Sequence, residues 1–121
     1  MNDFTKKHLR KDIEYSYKKN GDIEILISPG FGAGWSTWSS EYSINLAVDK
    51  RIIDFFKKYK HDVDIDKVDN FLTSIGYKNV FMSGYYDLII ETVPEGSKFR
   101  ISEYDGHETL ILYAQDEVWE L

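Results

Sequence analysis

The sequence contains no cysteine, so disulfide bonds, thiolate zinc sites and cysteine nucleophiles are all excluded. It has three histidines, His8, His61 and His107, which lie far apart and form neither an HExxH motif nor an i, i+4 pair, so we expect no metal site. No segment approaches the roughly 18 consecutive apolar residues that a membrane-spanning helix needs. The polar N-terminus is unlike a secretory signal, and we therefore expect a cytoplasmic protein.

Acidic residues outnumber basic ones, with 21 Asp and Glu against 15 Lys and Arg and a net charge of −6. The acidic excess is concentrated after residue 94, whereas the first twenty residues are rich in lysine. Nonspecific DNA binding requires several cations that face phosphates, so we do not expect it here. An acidic face can instead bind a basic protein, although such a surface also serves simply to keep a protein soluble.

The length of 121 residues and the apolar fraction of 42% predict one globular domain, with residues 1–10 as a flexible or short helical arm. Alternating apolar residues predict a hairpin over residues 13–28, with its turn at Asn20-Gly21. Three further strands are predicted at 88–93, 98–104 and 108–114, joined by turns at 94–97 and 105–106 into a meander. Residues 80–82 form a short apolar segment, and we expect Trp119 to pack back onto the sheet.

Two helices are predicted between the strands. Apolar residues recur at helical intervals over residues 43–60, with Ser43 or Ser40 as the N-cap. A second helix is predicted over 65–75, capped by Asp64 or Asp62 and ended by Gly76. The order of the elements predicts an α+β fold, in which an antiparallel sheet carries two helices packed on one face.

The most unusual segment is SPGFGAGWSTWS, residues 28–39, which combines three glycines, two tryptophans and several hydroxyl groups. It follows a strand and precedes a helix, as a phosphate-binding loop does. However, its spacing is G-x-G-x-G rather than G-x-G-x-x-G, no Walker lysine is present, and the helix begins too late for its amides to join a cradle. We therefore expect neither a Rossmann site nor a P-loop.

Two interpretations of this loop remain open. Its tryptophans can form a surface that binds a partner or stacks a base, or they can fill the core while the glycines let the chain turn. Arg51 can reach an anion at the loop, or the neighbouring Lys50 and Asp54 can form an ordinary i, i+4 pair. The candidate binding residues are the loop, this arginine and two acids of the C-terminal hairpin: Gly30, Phe31, Gly32, Gly34, Trp35, Ser36, Thr37, Trp38, Arg51, Glu103 and Asp105.

The aspartate-rich segment DVDIDKVDN, residues 62–70, does not match a calcium loop. With Asp62 in the first position, Lys67 replaces the required glycine and Thr73 replaces the final glutamate. Helix capping explains these aspartates instead. The residues 105–108 are typical of a hairpin turn, and no nucleophile–base pair or carboxylate dyad is recognisable. We therefore expect a protein that is not an enzyme and that needs no cofactor.

Three segments, PGFGAGWSTW at 29–38, LAVDKRII at 46–53 and VPEGSKFRISEYDGHE at 93–108, resemble small uncharacterised proteins of phages and prophages of low-GC Gram-positive bacteria. The resemblance covers roughly residues 24–108 and implies a small cytoplasmic accessory protein with no established catalytic residues. By analogy with other small acidic phage proteins, it implies binding to a host defence component.

The function expected from the sequence is therefore binding rather than catalysis. The first hypothesis is an antagonist of host defence that binds a basic surface of a nuclease effector, such as a CRISPR complex, through residues 30–38 and the acidic C-terminal hairpins. The second is a sponge for a nucleotide signal, held by the glycine loop and a stacked tryptophan. The third is a virion or assembly component, and a homodimer is compatible with each of the three.

Overall fold

A computed structural model describes residues 13–32, 34–39 and 43–113 of the chain. The predicted N-terminal arm, His8, Ser40 and Trp119 lie outside these residues. The elements in chain order are β1 (Ile23–Ile27), α1 (Ser43–Val48), α2 (Lys50–Tyr59), α3 (Ile65–Ser74), β2 (Ile89–Val93), β3 (Lys98–Tyr104) and β4 (His107–Tyr113), with short 3-10 helices at Ser36–Trp38 and Met82–Asp87. The predicted α+β class is confirmed.

The strands form two separate antiparallel pairs rather than one sheet. β1 pairs with β2, with Ile23 opposite Val93, and β3 pairs with β4, with Lys98 opposite Tyr113. The turn after β2 forms as predicted, since Ser97 N donates to Pro94 O at 3.1 Å, but β2 and β3 are not hydrogen-bonded neighbours as they would be in a meander. The distant β1 takes the place of β3 beside β2.

Strand β1 is buried along its whole length and divides the apolar interior into two clusters. Leu26 points to one side, where it packs with the aromatic residues of α2 and the 3-10 helix at Met82–Asp87. Ile23, Ile25 and Ile27 point to the other side, against α1 and Ile101 of β3. This division follows from the alternation of side chains along a strand. β1 therefore separates the cluster formed by α2, α3 and the 3-10 helix at Met82–Asp87 from the cluster in which α1 meets the β3–β4 pair.

The predicted first strand of the N-terminal hairpin does not form as a strand. Only an isolated bridge joins Tyr17 to Ile23, and Glu24 N donates to Ser16 O at 2.9 Å. The turn at Asn20-Gly21 is present, because Gly21 takes a φ of 92° and Lys18 N donates to Asp22 O at 2.9 Å. The predicted turn is therefore present, but the segments on its two sides are joined by a single β-bridge and do not form the predicted hairpin.

The helix predicted over residues 43–60 is divided in two at Asp49. This residue has an extended ψ of 120°, and its side chain accepts from Arg51 N as the N-cap of α2. It is fully buried and also accepts a hydrogen bond from the Tyr77 hydroxyl at 2.8 Å. An aspartate side chain that binds nearby backbone N–H groups competes with helix continuation. The apolar period continues across the break, which explains why periodicity alone predicts a single helix.

Helix α3 matches its prediction closely. Asp64 caps it by accepting from Lys67 N at 2.8 Å, and Gly76 follows it with a φ of 95°. The apolar residues 80–82 are not a strand, since they lead into the 3-10 helix at Met82–Asp87. No helix in the described part of the chain has the length and apolar character needed to cross a membrane.

Candidate functional site

A buried carboxylate from β4 holds the glycine loop in place. Glu108 is only 1% exposed, and one of its oxygens accepts from Ser28 N at 2.9 Å. Its other oxygen accepts from Trp35 N at 2.9 Å, Thr37 N at 3.0 Å and Thr37 Oγ1 at 2.5 Å. Glu108 N also donates to Ser28 O at 2.8 Å, so the loop and β4 are joined through both main chain and side chain. The backbone amides of the loop therefore bind a carboxylate group, and that group belongs to the protein's own Glu108.

Two glycines, Gly34 in the loop and Gly84 outside it, lie where a side chain would not fit. A Cβ atom on Gly84 would lie 2.0 Å from the carbonyl oxygen of Gly34. A Cβ atom on Gly34 would in turn lie 2.7 Å from Cγ of Trp38. Both distances are far below van der Waals contact. The loop therefore packs directly on the 3-10 helix at Met82–Asp87, which contains Gly84.

Trp35 belongs to the core rather than to the surface. Its side chain is 0% exposed, Nε1 donates to Leu46 O at 2.8 Å, and the ring meets Tyr85 edge to face at 6.2 Å. Ser36 is also fully buried. The core interpretation that the sequence left open therefore applies to Trp35, and neither residue presents a side chain to a partner.

Trp38 lies at the boundary between core and solvent. Its ring is half-buried and contacts Phe81 edge to face, with centroids 5.0 Å apart. Its Nε1 donates to Glu103 Oε2 at 3.0 Å, and Gly106 N donates to the same oxygen at 2.9 Å. These hydrogen bonds, from Gly106 first and Trp38 second, lower the pKa of the Glu103 carboxyl. Two predicted site residues, Trp38 and Glu103, are thus brought into direct contact.

The tip of the loop and the tip of the β3–β4 hairpin meet at the surface. Phe31 is 67% exposed and stacks on the His107 ring with centroids 4.8 Å apart. Tyr104 is 77% exposed and lies opposite His107 in the strand register, so the two side chains share one face. Gly32 N donates to Asp105 O at 2.6 Å, which ties the two tips together.

The turn at the hairpin tip has the conformation that its sequence predicts. Asp105 and Gly106 take φ values of 52° and 85°, both positive as a two-residue type I′ turn requires. The turn places Asp105, which is exposed, directly after Tyr104. We call the hairpin tip and the loop residues that contact it the loop–hairpin surface. Phe31, Tyr104 and His107 lie on one face of the β3–β4 pair, Glu103 points to the opposite face, where it contacts Trp38, and Asp105 lies in the turn.

Three further predicted site residues, Gly30, Thr37 and Arg51, contact other parts of the folded chain. Gly30 is half-buried beside the Asp87 side chain, and Thr37 binds Glu108. Arg51 binds the buried Asp49 carboxylate through Nε at 3.1 Å and a terminal nitrogen at 2.8 Å. The alternative i, i+4 pair is present as well, with Lys50 Nζ 2.7 Å from Asp54 Oδ2. The structure thus places Arg51 in the network that divides α1 from α2.

The site residues predicted from the sequence do not include Glu108, Tyr104 or His107, because residues 105–108 are interpreted there only as a turn and Tyr104 only as the last residue of a strand. A signal for Glu108 was present. In a strand that begins at His107, Glu108 shares its face with Leu110, and an acidic residue on the apolar face of a strand needs buried partners. The role of His107 carries no comparable signal, since its stacking on Phe31 and its hydrogen bond with Pro29 O depend on the folded loop.

No group of three or more His, Asp or Glu side chains able to hold a metal ion occurs in residues 13–32, 34–39 and 43–113. No protein-family model, curated protein or solved structure matches the chain. The geometry of the loop–hairpin surface is therefore the basis on which a function can be proposed.

Proposed function

We propose that this protein acts by binding a protein partner through the loop–hairpin surface. The observation that carries this proposal is the pair of largely exposed rings, Phe31 and Tyr104, at a hairpin tip that also carries the exposed acids Glu103 and Asp105. Aromatic residues dominate the energetics of protein interfaces, and a side chain that is two-thirds exposed has most of its apolar area still to bury.

The surface is ordered before any partner arrives. Glu108 ties the loop to β4, the Gly32–Asp105 hydrogen bond ties the two tips, and stacking on His107 holds the Phe31 ring. An ordered surface loses less conformational entropy on binding, at about 0.5–1.5 kcal/mol for each side chain that does not have to be immobilised. This arrangement therefore favours recognition over a purely structural role for the exposed rings.

The charge of the surface favours a basic partner. Glu103 and Asp105 flank Tyr104 in the sequence, and the whole chain has a net charge of −6. Because its hydrogen bonds lower the pKa of Glu103, this carboxylate stays ionised at neutral and mildly acidic pH. Complementary charge accelerates association and selects among partners.

Within this class we propose an antagonist of host defence, as the resemblance to phage proteins implies. Nuclease effectors hold nucleic acid in positively charged channels, and such a channel is complementary to an acidic surface that carries aromatic rings. The host-cell cytoplasm is the compartment in which such a partner would be met.

An inhibition assay with a purified CRISPR nuclease complex tests the proposal. We expect the wild-type protein to inhibit cleavage of a target DNA and the Phe31→Ala/Tyr104→Ala variant to require at least about tenfold more protein, which is about 1.4 kcal/mol. A Tyr17→Ala/Ile89→Ala variant is the matched control, because it also removes two exposed apolar side chains. Equal inhibition by the two variants would exclude the loop–hairpin surface. If the wild-type protein inhibits no effector tested, the defence-antagonist proposal fails.

The nucleotide-sponge hypothesis has no support from the loop as it is folded. The amides of Trp35 and Thr37 that a phosphate would need already donate to Glu108, and the Trp35 ring is buried. Thermal-shift screening against cyclic and linear nucleotides tests this alternative, since a ligand at a hundred times its Kd stabilises the fold by about 2.7 kcal/mol.

A further inference from the structure

A second surface feature lies between α2 and α3 and shares no residue with the loop–hairpin surface. It is an open groove of about 530 Å³ lined by Phe55, Tyr59 and Phe71, with Lys58 and Lys67 beside them. The groove is bordered by cations, whereas the loop–hairpin surface is acidic. The two features would therefore suit different ligands.

The floor of the groove is a stack of aromatic rings. Phe55 of α2 stacks on Phe71 of α3 with centroids 4.3 Å apart and planes 16° apart, and Tyr59 lies 4.7 Å from Phe55. These three side chains are half-buried, so each retains some surface that solvent can reach. A partner's apolar side chain can bury this remaining area.

Two ammonium groups converge on one ring at the edge of this floor. Lys67 Nζ lies 4.2 Å and Lys58 Nζ 5.2 Å from the centroid of Tyr59. Hydrogen bonding to Lys67, and more weakly to Lys58, lowers the pKa of the Tyr59 hydroxyl. Within the described residues, neither lysine forms an ion pair, and Asp54 at the groove edge is paired with Lys50. An anion bound between the two lysines would relieve their mutual repulsion.

The position of Lys67 is not explained by helix stability. Lysines in the last turn of a helix, such as Lys57 and Lys58 of α2, interact favourably with the helix dipole. Lys67 instead lies in the first turn of α3, where the same dipole disfavours a cation. Its side chain is directed onto Tyr59, which places the charge at the groove.

From these observations we infer that the α2–α3 groove binds an acidic peptide segment of a partner protein. An apolar side chain of the peptide packs on Phe55 and Phe71, and flanking carboxylates pair with Lys58 and Lys67. A peptide fits better than a small molecule because the groove is open, whereas small-molecule sites enclose most of the ligand surface. Opposite charge on the two sides gives the selectivity.

An NMR titration of the isotope-labelled protein tests this inference. The probes are two N-acetylated peptide amides with the same centre, Glu-Asp-Phe-Asp-Glu and Lys-Lys-Phe-Lys-Lys. We expect the acidic peptide to cause saturable shifts in the amides of Phe55, Tyr59, Lys67 and Phe71, and the basic peptide to cause none. A Lys58→Gln/Lys67→Gln variant should bind the acidic peptide at least about tenfold more weakly.

The controls separate this site from overall charge and from the proposed function. Lys78→Gln/Lys98→Gln removes the same charge from two exposed lysines elsewhere and should change Kd less than about twofold. The Phe31→Ala/Tyr104→Ala variant should bind the acidic peptide normally, so the two surfaces can fail independently.

Four results would overturn the inference. One is the absence of saturable shifts at millimolar acidic peptide, and another is equal weakening by the two lysine variants. The third is an equal response to inorganic phosphate or AMP, which would assign the groove to free anions. The last is self-association that is lost in Lys58→Gln/Lys67→Gln, which would make a second copy of the chain the occupant.

Discussion

Removing the negative charge of Glu108 should loosen the glycine loop and destabilise the whole fold. In Glu108→Gln, the amide oxygen is best placed where it accepts from Trp35 N, Thr37 N and Thr37 Oγ1. The amide NH₂ group then faces Ser28 N, so two hydrogen-bond donors point at each other and neither has an acceptor. A buried donor without a partner costs about 1–3 kcal/mol, and the three remaining bonds lose their charge assistance.

The expected loss for Glu108→Gln is therefore about 2–4 kcal/mol in the free energy of unfolding, because relief of carboxylate desolvation offsets part of the cost. Glu108→Ala orphans three backbone donors and should cost more. Urea unfolding gives the free energies, and hydrogen exchange at Trp35 and Thr37 shows whether the loss is centred on the loop.

Glu103→Gln is the matched control for this experiment. Glu103 also accepts from a backbone N–H and a side-chain donor, Gly106 N and Trp38 Nε1, but it is exposed to solvent. Water can replace these partners, so we expect a loss below about 1 kcal/mol. If Glu108→Gln is as stable as the wild type within about 0.5 kcal/mol, Glu108 does not hold the loop and the reasoning is refuted.

Three further perturbations test other parts of the structure. Gly84→Ala should destabilise the protein by about 1–3 kcal/mol because its Cβ would meet the Gly34 carbonyl, whereas Ser83→Ala, at an exposed neighbour, should be nearly neutral in thermal unfolding. Trp35→Phe should lower the free energy of unfolding in urea by about 1–3 kcal/mol, because Leu46 O loses its hydrogen-bond donor and space is left in the core. A smaller loss than that caused by Trp38→Phe would contradict the assignment of Trp35 to the core. Burial raises the pKa of Glu24, but hydrogen bonds from Lys57 and Ser16 outweigh this effect and lower the pKa below 4.5. The contribution of Glu24 to stability is therefore present above pH 4.5 and is lost as the pH falls through the folded pKa. Lys57→Met should weaken this pH dependence of the free energy of unfolding, and an unchanged profile would show that the ion pair is immaterial.

Much of the local structure could be predicted from the sequence because its causes are local. The helical period and an aspartate cap at Asp64 or Asp62 predicted α3, and the Asp105-Gly106 dipeptide predicted a hairpin turn, in which both residues take positive φ values. The strands predicted at 88–93 and 98–104, each bounded by turn residues, also match β2 and β3 to within one residue. In each case the residues that decide the conformation lie within a few positions of one another.

The pairing of the strands and the break at Asp49 could not be predicted in this way. β2 pairs with β1, more than sixty residues earlier in the chain, although β3 is nearer in sequence. Asp49 ends α1 partly because Tyr77, from the segment after α3, supplies a buried hydrogen bond to its carboxylate. Both outcomes depend on which segments meet in the folded core.

The glycine loop shows the same division most clearly. The three glycines and two tryptophans of residues 28–39 indicated a segment with unusual backbone conformation. The spacing of the glycines argued against a phosphate-binding loop. Only the tertiary structure decided that Trp35 is buried and that Phe31 meets the hairpin tip at the surface. The physical reason is that the loop's amides find their acceptor in Glu108, which lies 73 residues beyond Trp35 and comes within reach only when β4 is in register with β3.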